Sequence, residues 1–147
     1  MVGFRGDGLF AIFGLTPEGI NARDMDQRAI VSTVCRCGQW MIEAVAQVVN
    51  PALEARGCRG DLRIGIGIDS GAVIITKIGF MFADEVTAYG DAVNEAAKIG
   101  EISDNDVCVS EAVDELFPTA EDGKVQFVRV LKHPTARRIV YPYALLT

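Results

Sequence analysis

Residues 62–68 read Leu-Arg-Ile-Gly-Ile-Gly-Ile. In an extended strand, alternate side chains point to opposite faces. Ile64, Ile66 and Ile68 therefore share one face, and Gly65 and Gly67 share the other. A strand with a bare glycine face is one that something else approaches closely. Asp69-Ser70-Gly71 then reads as a turn, and Ala72 to Ile78 as a second strand.

The rest of the chain arranges itself around this pair. Met25, Ala29, Ile30, Val34, Met41, Val45, Val48 and Val49 recur at three- and four-residue steps. That spacing predicts one long amphipathic helix over residues 22–50. Asn50-Pro51 disturbs it, and Gly57 ends the helical stretch beyond. Upstream, apolar residues flank Gly6-Asp7-Gly8, the pattern of a tight hairpin. Downstream, a loop carrying Asp84 and Glu85 leads to Tyr89-Gly90-Asp91-Ala92-Val93-Asn94, which opens a helix with Asp91 as its N-cap. Val93, Ala96, Ala97 and Gly100 form its packing stripe, while Asn94 and Lys98, four residues apart, share the other face. Val107 to Val109 reads as a short strand, and Ser110 as the cap of a short helix that stops before Pro118. Val125 to Leu131 alternates as a half-buried strand. Ile139 to Leu146 is the last, with Pro142 suggesting a sheet edge. No repeat or linker interrupts the series. The expectation is one α+β domain over residues 1–147, with a largely antiparallel sheet and helices on one face.

Composition narrows the class. A chain of 147 residues, half of them hydrophobic, can bury a core of its own. A net charge of -6 argues against nucleic acid or an anionic membrane as a partner held by bulk electrostatics. No apolar run approaches the roughly 18–20 residues that span a bilayer. The first seven residues lack the shape of a signal peptide, so the expected compartment is the cytoplasm. Of the four cysteines only Cys35 and Cys37 are close, and His133 is the sole histidine, which favours reduced, mostly buried thiols over a zinc site.

Three blocks, in order, resemble the catalytic domain of class III nucleotidyl cyclases, the adenylyl and guanylyl cyclase family. Phe4 to Gly14 resembles the hairpin that presents the second metal-binding aspartate. Arg63 to Gly71, followed by Val73 to Gly79, resembles the paired strands around the family's glycine-rich turn. Tyr89 to Lys98 resembles the helix start that carries an asparagine and an arginine. The resemblance implies a ferredoxin-like, cyclase-homology α+β fold. It implies conversion of ATP to cyclic AMP and pyrophosphate by two divalent metals, Mg²⁺ or Mn²⁺, at the interface of a dimer.

By the same resemblance, Asp7 is a metal ligand. Asn94 steadies ribose and transition state, and Lys98 stands where the family has arginine. Lysine keeps the charge but not the bidentate fork. Thr87, three residues before Gly90, is similar to the base-reading position of bacterial adenylyl cyclases, while Gly3 replaces the lysine often found ahead of the hairpin; the outcome is a weak preference for ATP over GTP. Arg63 and Lys132 match phosphate-binding positions, and Lys132 falls in a local basic cluster with Arg129, Arg137 and Arg138 whose alternative reading is a solvated strand edge. The family's first metal aspartate lies on an earlier strand, in an Asp-Ile-x-Gly-Phe-Ser/Thr motif. The sequence as given starts at the hairpin, without that strand and the two helices after it. The resemblance leaves two functions open: a truncated or degenerate cyclase catalytic domain, working with a second copy or a cyclase-like partner domain, or a catalytically silent nucleotide-binding or dimerisation module in signalling.

Overall fold

A computed structural model of the chain describes residues 2–5, 8–14, 26–80, 83–116, 127–130 and 134–139. The glycine-faced segment forms β3 (Ile66–Ile68), which pairs in parallel with β6 (Val107–Ser110), Gly67 standing opposite Cys108. β6 continues antiparallel into β8 (Ala136–Ile139), and β8 into β7 (Phe127–Arg129). The order is β3-β6-β8-β7. Two hairpins complete the described strands: β1 (Val2–Arg5) with β2 (Gly8–Ala11), and β4 (Ile74–Phe80) with β5 (Ala83–Tyr89).

Most pairings are antiparallel, and the α+β class holds. Helices nevertheless cover both faces of the four-stranded sheet. On the isoleucine face, α1 (Gln27–Ala44) and the short α4 (Glu111–Asp114) bury Val31, Cys35, Ile68, Val107, Val109 and Val113 together. On the glycine face lies α3 (Asp91–Ile102), where Ile99 packs with Cys108 and Ala136. The alternation of the strand forces this split. A Cβ on Gly67 would run into the Ala96 carbonyl and the Gly100 amide, so what comes close is helix backbone. That approach also rotates α3 from the expected stripe. Ala92 and Ile99 are buried, and Ala97 is exposed.

Other expectations shift for local reasons. Asp84 and Glu85 are not in a loop. They lie in β5, opposite Gly79 and Ile78. Seven consecutive cross-strand pairs outweigh the poor strand propensity of two acids. The long helix begins at Asp26, whose carboxylate accepts from the Arg28 amide at 3.0 Å. Residues 22–25 lie outside the described set. Near its far end it widens into a π-helical segment (Val45–Val49) before α2 (Asn50–Glu54). The Asn50 amide bonds the carbonyl of Val45, five residues back. This wider turn accommodates Pro51, which has no N–H to give and crowds the preceding turn. Gly57, at φ 75°, ends the helix as expected. The side chain of Asn50 then clasps the backbone of Leu62, accepting from its N–H at 3.0 Å and donating to its C=O at 3.1 Å. That clasp seats the segment entering β3 along the helix. Of the expected last strand only Ile139 is described, and it ends β8, an interior strand of this sheet.

All four cysteines are free thiols. Cys35 and Cys108 are buried, Cys37 is half-buried and Cys58 is exposed. Burial pushes the Cys35 thiol up to about 12 and also raises that of Cys108. At pH 8, four units below, about one Cys35 in ten thousand is thiolate. Brief treatment of the folded chain with iodoacetamide at pH 8, followed by peptide mass mapping, should label Cys58 and leave Cys35 unmodified. Equal labelling of both would refute the packing of α1 on the sheet. Among the described residues, no helix is long and apolar enough to cross a membrane.

Candidate functional site

Three of the residues singled out by sequence, Thr87, Asn94 and Lys98, lie where β5 passes into α3. Gly90 has φ 151° and stands at the N-cap, so Asp91 is the first helical residue and not the cap itself. A Cβ on Gly90 would sit 2.6 Å from the carbonyl oxygen of Ala72, so only glycine fits. Asp91 places a negative charge in the first turn, where the helix dipole favours it. The turn after β3 sits against the same end, with a Cβ on Gly71 falling 3.1 Å from that of Ala92.

From this fixed start α3 presents two exposed side chains one turn apart, Asn94 and Lys98. The Asn94 backbone N–H is tied to the Gly90 carbonyl at 3.2 Å, and its side chain is exposed. Among the described residues, the Lys98 ammonium makes no ion pair. Thr87 is half-buried on β5, paired with Thr76 across the hairpin and three residues ahead of Gly90. Thr87, Asn94 and Lys98 thus belong to one continuous strand–helix unit.

Arg63 does not join them. Its guanidinium pairs with Asp104 at 2.9 Å, beyond the opposite end of α3. Eight residues separate Asn94 from Ile102, the last of the helix, which is about 12 Å of rise. Both partners are largely exposed, so the pair adds little stability. Its effect is to occupy Arg63 away from Asn94. The basic cluster is also paired. Arg137 meets Glu111 at 2.9 Å and Asp114 at 3.7 Å, and Arg138 meets Asp106 at 3.4 Å. Burial raises the Asp114 carboxyl, against the pull of Arg137, and its acidic neighbours Glu111 and Glu115 push the same way. Arg129 lies in β7. Asp7 and Lys132 lie outside the described residues.

Two long-range hydrogen bonds near the helix were invisible to spacing arguments. The Ser110 hydroxyl donates to the Asp69 carboxylate while accepting from the Val113 amide at 3.3 Å, so one side chain caps α4 and ties it to the turn after β3. The Thr135 hydroxyl donates to Glu95 on α3 at 2.6 Å. These partners are 41 and 40 residues apart, and no local pattern announces them. Among the described residues, no group of three or more His, Cys, Asp or Glu side chains could hold a metal ion.

Scans against protein-family models and curated proteins each found no match. Solved structures similar in fold include two cyclases. The crystal structure of the guanylyl cyclase Cya2 matches at TM-score 0.57 and 22% identity, covering 77% of this chain and 57% of that one. The crystal structure of the adenylyl cyclase CyaB from P. aeruginosa matches at TM-score 0.53 and 20% identity, covering 78% of this chain and 59% of that one. The chain spans under three-fifths of either cyclase's length. Its fold is that of the nucleotidyl cyclase catalytic domain, as the sequence resemblance implies.

Proposed function

We propose that this chain supplies the nucleotide-contacting half of an adenylyl cyclase-type site, completed by a second domain of the same fold. The observation that carries this reading is the outward presentation of Asn94 and Lys98 from a helix whose start is fixed by Gly90. In the proposed reaction the ribose 3′-oxygen attacks the α-phosphorus of ATP. The O3′–Pα bond forms, the bond from Pα to the bridging oxygen breaks, pyrophosphate leaves with that electron pair, and the 3′-hydroxyl proton passes to solvent. Asn94 would steady the ribose and, above all, the transition state by its carboxamide. The Lys98 ammonium would meet phosphate oxygens as charge builds on them, which is where a preorganised donor has its largest effect. Thr87 would contact the base, with the weak preference for adenine that its type implies. Lys132 would add a phosphate contact. A divalent cation, Mg²⁺ or Mn²⁺, supplies charge neutralisation when bound, with Asp7 as its carboxylate ligand. Arg63 pairs with Asp104 near the far end of α3 and is not included in this proposed site.

A second reading is a silent nucleotide-binding or dimerisation module. Two observations favour it: Lys98 is a point charge in place of a planar fork, and Arg63 is occupied at the far end of α3. Cyclic nucleotide production separates the two. Purified chain is incubated with ATP or GTP and Mn²⁺ or Mg²⁺ over a wide range of protein concentration. The cyclase reading expects cyclic AMP, with specific activity rising with concentration and lost in Asp7→Ala. Nucleotide binding with no product at any concentration would select the silent module.

A further inference from the structure

The turn after β3 opens with Asp69, a half-buried residue. Its carboxylate accepts from the Ser110 hydroxyl, 41 residues on. Among the described residues, Ser110 is the one side chain bonded to the Asp69 carboxylate. The anchor at that end is fixed. Ser110 closes β6, is 3% exposed, and its oxygen also accepts from the Val113 amide at 3.3 Å. Just before the pair, Ile68 and Val109 stand opposite each other in the parallel ladder, both buried. The other end of the same turn meets α3. Gly71 backs onto Ala92 so closely that a Cβ on it would fall 3.1 Å from that of Ala92, which is itself buried. The Ala72 carbonyl lies against Gly90, the N-cap. Residues 69–72 thus form a short bracket between the end of β6 and the start of α3.

We infer that Asp69 is a positioning residue. Held by Ser110, it sets residues 71 and 72 against Ala92 and Gly90, and so fixes the start of the helix from which Asn94 and Lys98 project. The inference rests on the nucleotide reading above for the role of those two side chains. Asp69 itself touches no ligand in this scheme. Without its anchor the turn samples other arrangements, and the first turn of α3 follows it. A site correctly formed in only a fraction of molecules binds its ligand more weakly by that fraction.

The test is calorimetric titration of the whole chain with 3′-deoxy-ATP and Mn²⁺, an analogue that lacks the attacking hydroxyl and cannot cyclise. Taking a negative charge from beside the site should by itself favour an anion. Asp69→Asn removes the charge but keeps an oxygen that accepts from the Ser110 hydroxyl, so it should bind as tightly as the parent or more so. Asp69→Ala removes both charge and bond. It should nevertheless bind about three- to tenfold more weakly, as it would with the productive turn populated about a third to a tenth of the time. Amide spectra of the unliganded chains give a second readout. Gly90, Ala92 and Asn94 should move in Asp69→Ala and stay near their parent positions in Asp69→Asn. Should Asp69→Ala fail to fold by thermal denaturation, Ser110→Ala breaks the same bond from the other side and should weaken binding likewise. Failure of both to fold would make the bond a requirement of the whole fold and overturn the inference. Asp69→Ala binding as the parent does, or Asp69→Asn losing as much as Asp69→Ala, would also overturn it. Lys98→Ala separates the two levels. If it weakens binding while Asp69→Ala does not, only this inference falls. If the parent chain does not bind the analogue, or Lys98→Ala binds equally well, the functional reading falls, and the amide spectra still decide whether Asp69 positions α3.

Discussion

Gly67→Ala is expected to cost the chain about 3 kcal/mol or more, a large share of the stability of an ordinary domain. The added methyl would enter the Ala96 carbonyl and the Gly100 amide, both of them backbone. A clash with a side chain is relieved by changing a rotamer. This one requires α3 to lift off β3, which would expose Ile99 and Cys108, both now almost completely buried. Urea denaturation followed by far-ultraviolet circular dichroism measures the loss. Gly57→Ala is the matched control. A Cβ there meets nothing within 4 Å, and only the positive φ of 75° is strained, so the cost is about 1 kcal/mol. A Gly67→Ala chain as stable as the Gly57→Ala chain would mean that α3 does not lie on the glycine face, and the placement of Asn94 and Lys98 would go with it.

The second large effect concerns chemistry. Asn94→Ala should lower the rate of cyclic nucleotide formation about 10²–10³-fold, the usual consequence of removing one preorganised donor. Stability should hardly change, because Asn94 is exposed and its structural hydrogen bond comes from the backbone. The loss should fall mainly on kcat, since a group acting on the transition state contributes little to ground-state binding. Lys98→Arg is the informative companion. A guanidinium fork grips phosphate bidentately, so this change should preserve or raise the rate, while Lys98→Ala should lower it. An Asn94→Ala chain with unchanged kcat would remove the helix from the catalytic account.

Much of this arrangement was legible in the sequence because it rests on local pattern. The alternation at 64–68 announced a face open to close approach, and the structure fills it with α3 backbone. The Gly6-Asp7-Gly8 signal predicted a hairpin, and β1 pairs with β2 in the matching register. Asn94 and Lys98 were placed on an exposed face by spacing alone, and both are exposed. The features that were not legible depend on partners distant in sequence. Asp84 and Glu85 become strand residues only because β4 pairs with them. The parallel pairing of β3 with β6 joins Ile66 to Val107, 41 residues on, and no hydrophobic period encodes it. Arg63 reads as a phosphate contact, and its ion pair with Asp104, 41 residues on, has no signal in the local pattern. Gly90 took the cap expected of Asp91 because the Ala72 carbonyl presses on that position.

The central claim is that nucleotide binds along the start of α3 and not at its far end. Amide chemical-shift mapping of the isotope-labelled chain, titrated with 3′-deoxy-ATP and Mg²⁺, tests this most directly. The account predicts shifts concentrated from Thr87 through Lys98, with Arg63 and Asp104 unmoved. Shifts centred on Arg63 and Asp104, or none at saturating nucleotide, would contradict it.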